Sequence, residues 1–210
     1  MPEALIWGAS GGIGSALVEE LARQGWKVYA AARNEAAVPA SAAAVFEFDA
    51  LKPFTFSHVA MMVAQESTGV QLVAYTPGVL HAQPLDVGDT DAWQTTIAVN
   101  LTGAALAIRA SIPLLADGAL VAGIGAQVDR LILPKFGAYA VSKAGLQTLF
   151  QVAQKEHRSA RFCLVRPGAV DTPFWEQVPF PMPGTALSPA AVATAIIEAF
   201  HAGTKGQVDL

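Results

Sequence analysis

Tyr139 and Lys143 stand four residues apart in the run Tyr139-Ala140-Val141-Ser142-Lys143. On a helix that spacing puts both side chains on one face, one turn apart. A free tyrosine titrates at about 10 and is a poor acid or base at neutral pH. A cation one turn away favours the phenolate and lowers that value. The pair is a candidate proton donor or acceptor. A second chemical signal is Gly8-Ala9-Ser10-Gly11-Gly12-Ile13-Gly14. Glycines permit a tight turn and close approach of a pyrophosphate, and a helix N-terminus behind them offers amide donors and positive potential. A third is Arg33. Dinucleotide sites commonly hold the ribose 2′-hydroxyl with an acid near the end of the second strand, whereas an arginine there accommodates a 2′-phosphate. Here Ala32 is followed by Arg33, with no acid before Glu35. Arg33, helped by Ser10, is a candidate for that phosphate. Each signal alone has a plainer reading: a tyrosine stacked on a lysine stem, a tight strand-to-helix turn, a solvated loop arginine.

The elements that carry these residues give them a common place. Ala4 to Trp7 reads as a strand, and Ile13, Leu17 and Leu21 mark a helix that Gly25 stops. Lys27 to Ala32 is a second strand. Residues 34–43 are alanine-rich but contain Pro39, and the helix expected before the third strand, Val45 to Phe48, is short or missing. Pro53 to Glu66 is a helix with proline in its first turn. Val70 to Tyr75 is the fourth strand. His81, Asp86, Asp89 and Asp91 follow, and they fit loop polarity and helix capping better than a metal site. No metal is expected. A long helix runs from about Asp91 to Ser111 and contains Asn100, which must find partners if buried. Ala119 to Ile124 is the fifth strand. The Tyr139 helix extends to about His157, Arg161 to Val165 is the sixth strand, and Ser188-Pro189 starts a last helix. Gly206 to Leu210 is a short final strand. This alternation implies an α/β fold, a doubly wound parallel sheet of about six to seven strands with helices on both faces. Ligands on such sheets bind beyond the carboxyl ends of the strands. The glycine turn, Arg33, Asp49, Gly78, Gly125 and Pro167-Gly168 all fall there.

Composition narrows the partners. The 210 residues suit one domain, 1–210, with residues 173–187 as a proline- and aromatic-rich loop on the substrate side. Hydrophobic residues make up 53% and charged residues 14%, and mean hydropathy is +0.40. That apolar surplus fits burial against another subunit. A net charge of -4 with no basic run argues against nucleic acid. No apolar run approaches the roughly 18 residues of a membrane span, so no membrane is expected. A lone cysteine, Cys163, in an apolar run fits a reducing, cytoplasmic setting.

With the glycine turn and the Tyr139–Lys143 pair together, nearly the whole chain resembles the short-chain dehydrogenase/reductase family. The resemblance implies a Rossmann-type fold that binds NADP(H), with Gly8, Ser10, Gly12, Ile13 and Gly14 around the cofactor. It implies that Asp49, beside Ala50, bonds the adenine amino group and that Gly78 lies against the cofactor. Tyr139 would be the general acid towards a carbonyl or the base towards an alcohol. Lys143 would hold the nicotinamide ribose and lower the tyrosine pKa. Asn100 would hold a water in a proton relay. Pro167, Gly168, Val170 and Thr172 would position the nicotinamide. The helices at about 91–111 and 137–157 would pack on their copies in a homodimer or homotetramer. Three departures stand out. The position of the family's catalytic serine, thirteen residues before the tyrosine, is Ala126, with Gly125 and Gln127 beside it. The family's Asn-Asn-Ala-Gly segment is here Tyr75-Thr76-Pro77-Gly78. The substrate loop and C-terminus are short.

The function expected is an NADPH-dependent oxidoreductase acting on a small, apolar aldehyde, ketone or alcohol. The alternative, motivated by Ala126, is an NADP(H)-binding protein with little or no turnover, a sensor or interaction module. A methyltransferase is a weaker third reading, because such sites want an acid where Ala32 and Arg33 stand.

Overall fold

A computed structural model describes all residues, 1–210. Seven parallel strands form one sheet in the order β3-β2-β1-β4-β5-β6-β7. The strands are β1 (Glu3–Trp7), β2 (Lys27–Ala32), β3 (Ala44–Glu47), β4 (Val70–Tyr75), β5 (Leu115–Ile124), β6 (Arg161–Arg166) and β7 (Gly206–Asp209). Alternation along β1 explains how the sheet is covered. Ala4 and Ile6 face a cluster completed by Leu17, Val18 and Leu21 of α1 (Gly12–Arg23) and by Val192 and Ile196 of α6 (Pro189–His201). Leu5 and Trp7 face the opposite cluster. It takes Phe56, Val59 and Val63 from α2 (Pro53–Glu66), Ala104 and Ile108 from α4 (Gly103–Ser111), and Leu146 and Phe150 from α5 (Gly137–Glu156). Both faces of the sheet are therefore dry, as a parallel sheet requires. The connection between β2 and β3 holds only a single 3-10 turn, Glu35–Ala37, in place of a helix.

The long helix is not uniform. It consists of α3 (Thr90–Ile97), a π turn at Ala98–Thr102 and α4, where the Gly103 amide reaches back to the Ala98 carbonyl. Asp89 caps its start, accepting from the Asp91 amide at 3.0 Å. The full rod, Thr90–Leu114, spans 25 residues with a mean hydropathy of 1.5 over its apolar stretch. By length and composition it could cross a membrane, which corrects the expectation that no segment approaches that size. In the fold it is a core helix. Ala104, Ala107 and Leu114 join the cluster under the sheet, and buried Thr96, Asn100 and Ser111 all have hydrogen-bond partners. Strand β5 starts at Leu115, four residues earlier than its apolar run indicates, because Gly118 takes φ 73° and lets the chain shift register past Val70.

Candidate active site

The carboxyl ends of the strands open into one cavity of about 1090 Å³. Its cradle begins at the end of β1. Gly8 has φ 85°, and a side chain there would strike Pro77 and the Thr76 hydroxyl at 2.8 Å. Thr76 ties the two turns together by donating from its hydroxyl to the Trp7 carbonyl at 2.8 Å. Ser10, Gly12, Ile13 and Gly14 line this end with Gly8. Arg33, Asp49 and Ala50 continue the wall from the ends of β2 and β3. Arg33 is exposed, and no acidic side chain pairs with it. Asp49 is bonded to the Leu51 amide at 3.0 Å. Gly78 and Lys143 lie further along, and Pro167, Gly168, Val170 and Thr172 close the far side. A flexible hinge is not what holds this last segment. The Leu187 amide donates to Ala169 and the Asp171 amide to Leu187, both at 2.8 Å, so the loop of residues 173–187 is clasped at its base.

Tyr139 is half-buried, its ring edge-on to Phe136 and tilted against Phe174 with centroids 5.6 Å apart. Its hydroxyl has no protein partner, so the phenol is free for a ligand in the cavity. Lys143 is 4% exposed and donates from Nζ to the Ile124 carbonyl at 2.8 Å. The ammonium sits 5.5 Å from the centre of the Tyr139 ring. Spacing along the helix predicts that this cation lowers the phenol's pKa. Burial outweighs it: desolvation pushes Tyr139 above its ordinary value and pulls Lys143 down to about 8. The phenol is thus protonated at neutral pH and, in the free protein, a weaker acid than an ordinary tyrosine.

Asn100 alone among the expected site residues is off the cavity wall. It is 1% exposed. Its Oδ1 accepts from the Val79 amide at 2.9 Å, and its Nδ2 donates to the Val79 carbonyl at 2.9 Å and to Ser142 Oγ at 3.1 Å. It therefore joins the turn after β4 to the helix of Tyr139. The π turn makes this reach possible, and the Val99 carbonyl within it accepts from the Tyr75 hydroxyl at 2.6 Å. Ala126 stands on the wall, 7% exposed and without a hydroxyl to offer. Gln127 also lines the cavity, but its amide donates to the Leu210 carbonyl at 3.2 Å. His81, Asp86, Asp89 and Asp91 do not gather: no three His, Cys, Asp or Glu side chains form a metal-sized group.

A family model described as short chain dehydrogenase matches residues 2–180. The chain belongs to that family. Its members are oxidoreductases of the dehydrogenase/reductase type. The chain is 28% identical over 184 residues to an uncharacterized oxidoreductase of Staphylococcus saprophyticus, covering 81% of this chain and 79% of that protein. It is 27% identical over 182 residues to the D-threitol dehydrogenase of Mycolicibacterium smegmatis, covering 80% and 70%. Among solved structures, it superposes with TM-score 0.91 and 25% identity on an alcohol dehydrogenase from the archaeon Thermococcus sibiricus complexed with 5-hydroxy-NADP. That match covers 100% of this chain and 96% of the other.

Several residues of this dehydrogenase-family site carry little sequence signal. Ser142 looks like filler inside the Tyr139–Lys143 spacing, yet it is the buried bridge to Asn100. Tyr75 reads as an apolar strand end, and only its phenol placed opposite Gly103 marks it out: a side chain on Gly103 would overlap the Tyr75 hydroxyl. Gln177 Oε1 accepts from the Leu80 amide at 3.1 Å, fastening the 173–187 loop to the turn after β4.

Proposed function

We propose that this chain is an NADPH-dependent oxidoreductase that interconverts a small, apolar aldehyde or ketone and its alcohol. The observation that carries this reading is the free hydroxyl of Tyr139, held beside buried Lys143 in the same cavity as the glycine cradle. The cradle fits a dinucleotide: it is lined by glycines that other side chains would fill, and Arg33 has no competing acid. Bound there, the nicotinamide cofactor supplies or accepts the hydride. The chain's own residues manage position and protons. Arg33 holds the 2′-phosphate and Asp49 the adenine end. Lys143 holds the nicotinamide ribose and attracts the charge that grows on the phenol. Tyr139 gives its proton to the carbonyl oxygen in reduction and takes one from the hydroxyl in oxidation. Asn100 keeps Val79 and the catalytic helix in register through Ser142. Phe136, Phe174 and Phe180 give the substrate end an apolar wall, with Phe136 stacked on Phe180 at 5.5 Å. A homodimer or homotetramer in the cytoplasm completes the proposal. The test is NADPH oxidation over a panel of aldehydes and ketones, run beside a binding titration. Carbonyl-dependent oxidation with tight NADPH binding is expected, and binding of neither dinucleotide would overturn the reading.

Ala126 favours a second reading, a cofactor-binding member with little turnover. A missing oxyanion donor costs on the order of 10²–10³ in rate. In that case NADPH binds, generic carbonyls turn over slowly, and Ala126→Ser raises the rate. Because Gln127 is engaged with Leu210, Gln127→Ala is expected to change turnover little.

A further inference from the structure

His81 lies on the cavity wall, three residues past Gly78. The segment that carries it is fastened by three side chains in succession. Asn100 bonds both backbone groups of Val79, Gln177 accepts from the Leu80 amide, and His81 Nδ1 lies 3.0 Å from Thr96 Oγ1. Thr96 is fully buried, and it precedes Asn100 by one helical turn, so one helix face pins residues 79 and 81 together. The Thr96 hydroxyl also sits 2.9 Å from the Ala92 carbonyl, to which it donates. A hydroxyl has one hydrogen, and a carbonyl can only accept. Both bonds form together only when Thr96 accepts from His81, which makes His81 the Nδ1–H tautomer. In the neutral ring Nε2 is then a bare acceptor, and no protein group meets it.

We propose that His81 is a specificity residue: its Nε2 accepts a hydrogen bond from a hydroxyl on the substrate, next to the carbonyl that is reduced. This rests on the reductase reading above and narrows its substrate class to hydroxylated carbonyl compounds, or diols in the reverse direction. The chemistry decides the assignment. With its only ring hydrogen spent on Thr96, His81 cannot donate to a carbonyl oxygen and so does not stand in for a serine at Ala126. It selects for a hydroxyl donor, and Phe136 and Phe174, which line the same cavity beside Tyr139, select for an apolar body. His81 is exposed to the open cavity, so the substrate hydroxyl replaces a water at Nε2, whereas an analogue of equal shape without the donor displaces that water and restores no bond.

The test compares 2-hydroxyacetophenone with propiophenone, which replaces the hydroxyl by a methyl group. In the wild-type chain with NADPH, kcat/KM is expected to favour the hydroxy ketone by roughly tenfold, the worth of one hydrogen bond. His81→Phe should bring the ratio close to one, and His81→Gln, which keeps an acceptor, should restore part of it. Thr96→Val should lower the ratio while His81 remains, chiefly through KM. A ratio that His81→Phe leaves unmoved overturns the proposal. A second measurement needs no turnover. Nitrogen-15 spectra of the wild-type chain saturated with NADP+ should show His81 protonated on Nδ1, and its Nε2 resonance should move with 2-hydroxyacetophenone far more than with propiophenone. An Nε2–H tautomer, equal shifts, or no shift with either ketone overturns the proposal. If neither ketone is reduced, that result bears on the reductase reading and not on His81, which the spectra still decide.

Discussion

Lys143 is buried with one polar partner, the Ile124 carbonyl, and carries a pKa drawn down to about 8 by that burial. The consequence for stability has a definite sign. Between about 8 and the ordinary 10.5 the unfolded chain binds a proton that the folded chain does not, so unfolding free energy rises with pH across that window. Below it, the folded protein bears the whole cost of a buried ammonium. Relative to Lys143→Met, the wild-type chain should gain on the order of 3 kcal/mol between pH 7 and pH 10.5, measured by urea unfolding of the free protein. A stability difference that stays flat with pH would show that the ammonium is solvated. The residue spacing reveals that Tyr139 and Lys143 share a helix face. It does not reveal how much solvent the two groups lose on folding, which is why the sequence predicts a lowered phenol pKa and the structure a raised one. Arg33 is the opposite case, because its exposure leaves the sequence argument intact. Arg33→Ala should weaken NADPH binding by roughly tenfold to a hundredfold, the loss of a charge-assisted bond, and leave NADH binding nearly unchanged. Equal losses for both dinucleotides in a fluorescence titration would remove Arg33 from the site.

Between α3 and α4 one widened turn decides where Asn100 reaches. Such turns cost backbone hydrogen bonding and persist where something compensates. Here the Tyr75 hydroxyl serves the Val99 carbonyl, and Gly103 leaves room for it. Tyr75→Phe should therefore lower stability by about 1–3 kcal/mol, the penalty of a buried acceptor left alone, seen as a shift in the urea midpoint. An unshifted midpoint would mean that the turn holds itself. The apolar periodicity of residues 91–111 indicates one unbroken helix, because a single extra residue in one turn barely disturbs a 3.6-residue pattern. Elsewhere the elements are legible. Lys27–Ala32, Pro53–Glu66 and Val70–Tyr75 fall where their patterns place them, since each is bounded by glycine, proline or a polar cluster. The short link before β3 is legible too, because Pro39 interrupts the alanine-rich stretch.

At the scale of the molecule, the strand order brings residues from almost every part of the chain to one cavity, from Gly8 to Thr172. That convergence is readable from the sequence because a parallel sheet sends all its carboxyl ends one way. The partners of Asn100 and His81 are not, because they depend on how α3 and α5 lie against the turn after β4. The same packing leaves Val141 and Val152 of α5 facing outwards at 52% and 45% exposure. This apolar face suits a self-complementary contact, and light scattering at micromolar concentration should report a homodimer or homotetramer. A monomer at that concentration would contradict it. The most direct test of the whole account is steady-state NADPH oxidation by the wild-type chain and by Tyr139→Phe, with NADPH binding measured on both. The account predicts equal binding and a fall in carbonyl-dependent turnover of roughly 10²-fold or more in the variant, the loss of a general acid. Turnover undiminished by that single lost hydroxyl would place the chemistry elsewhere and contradict it.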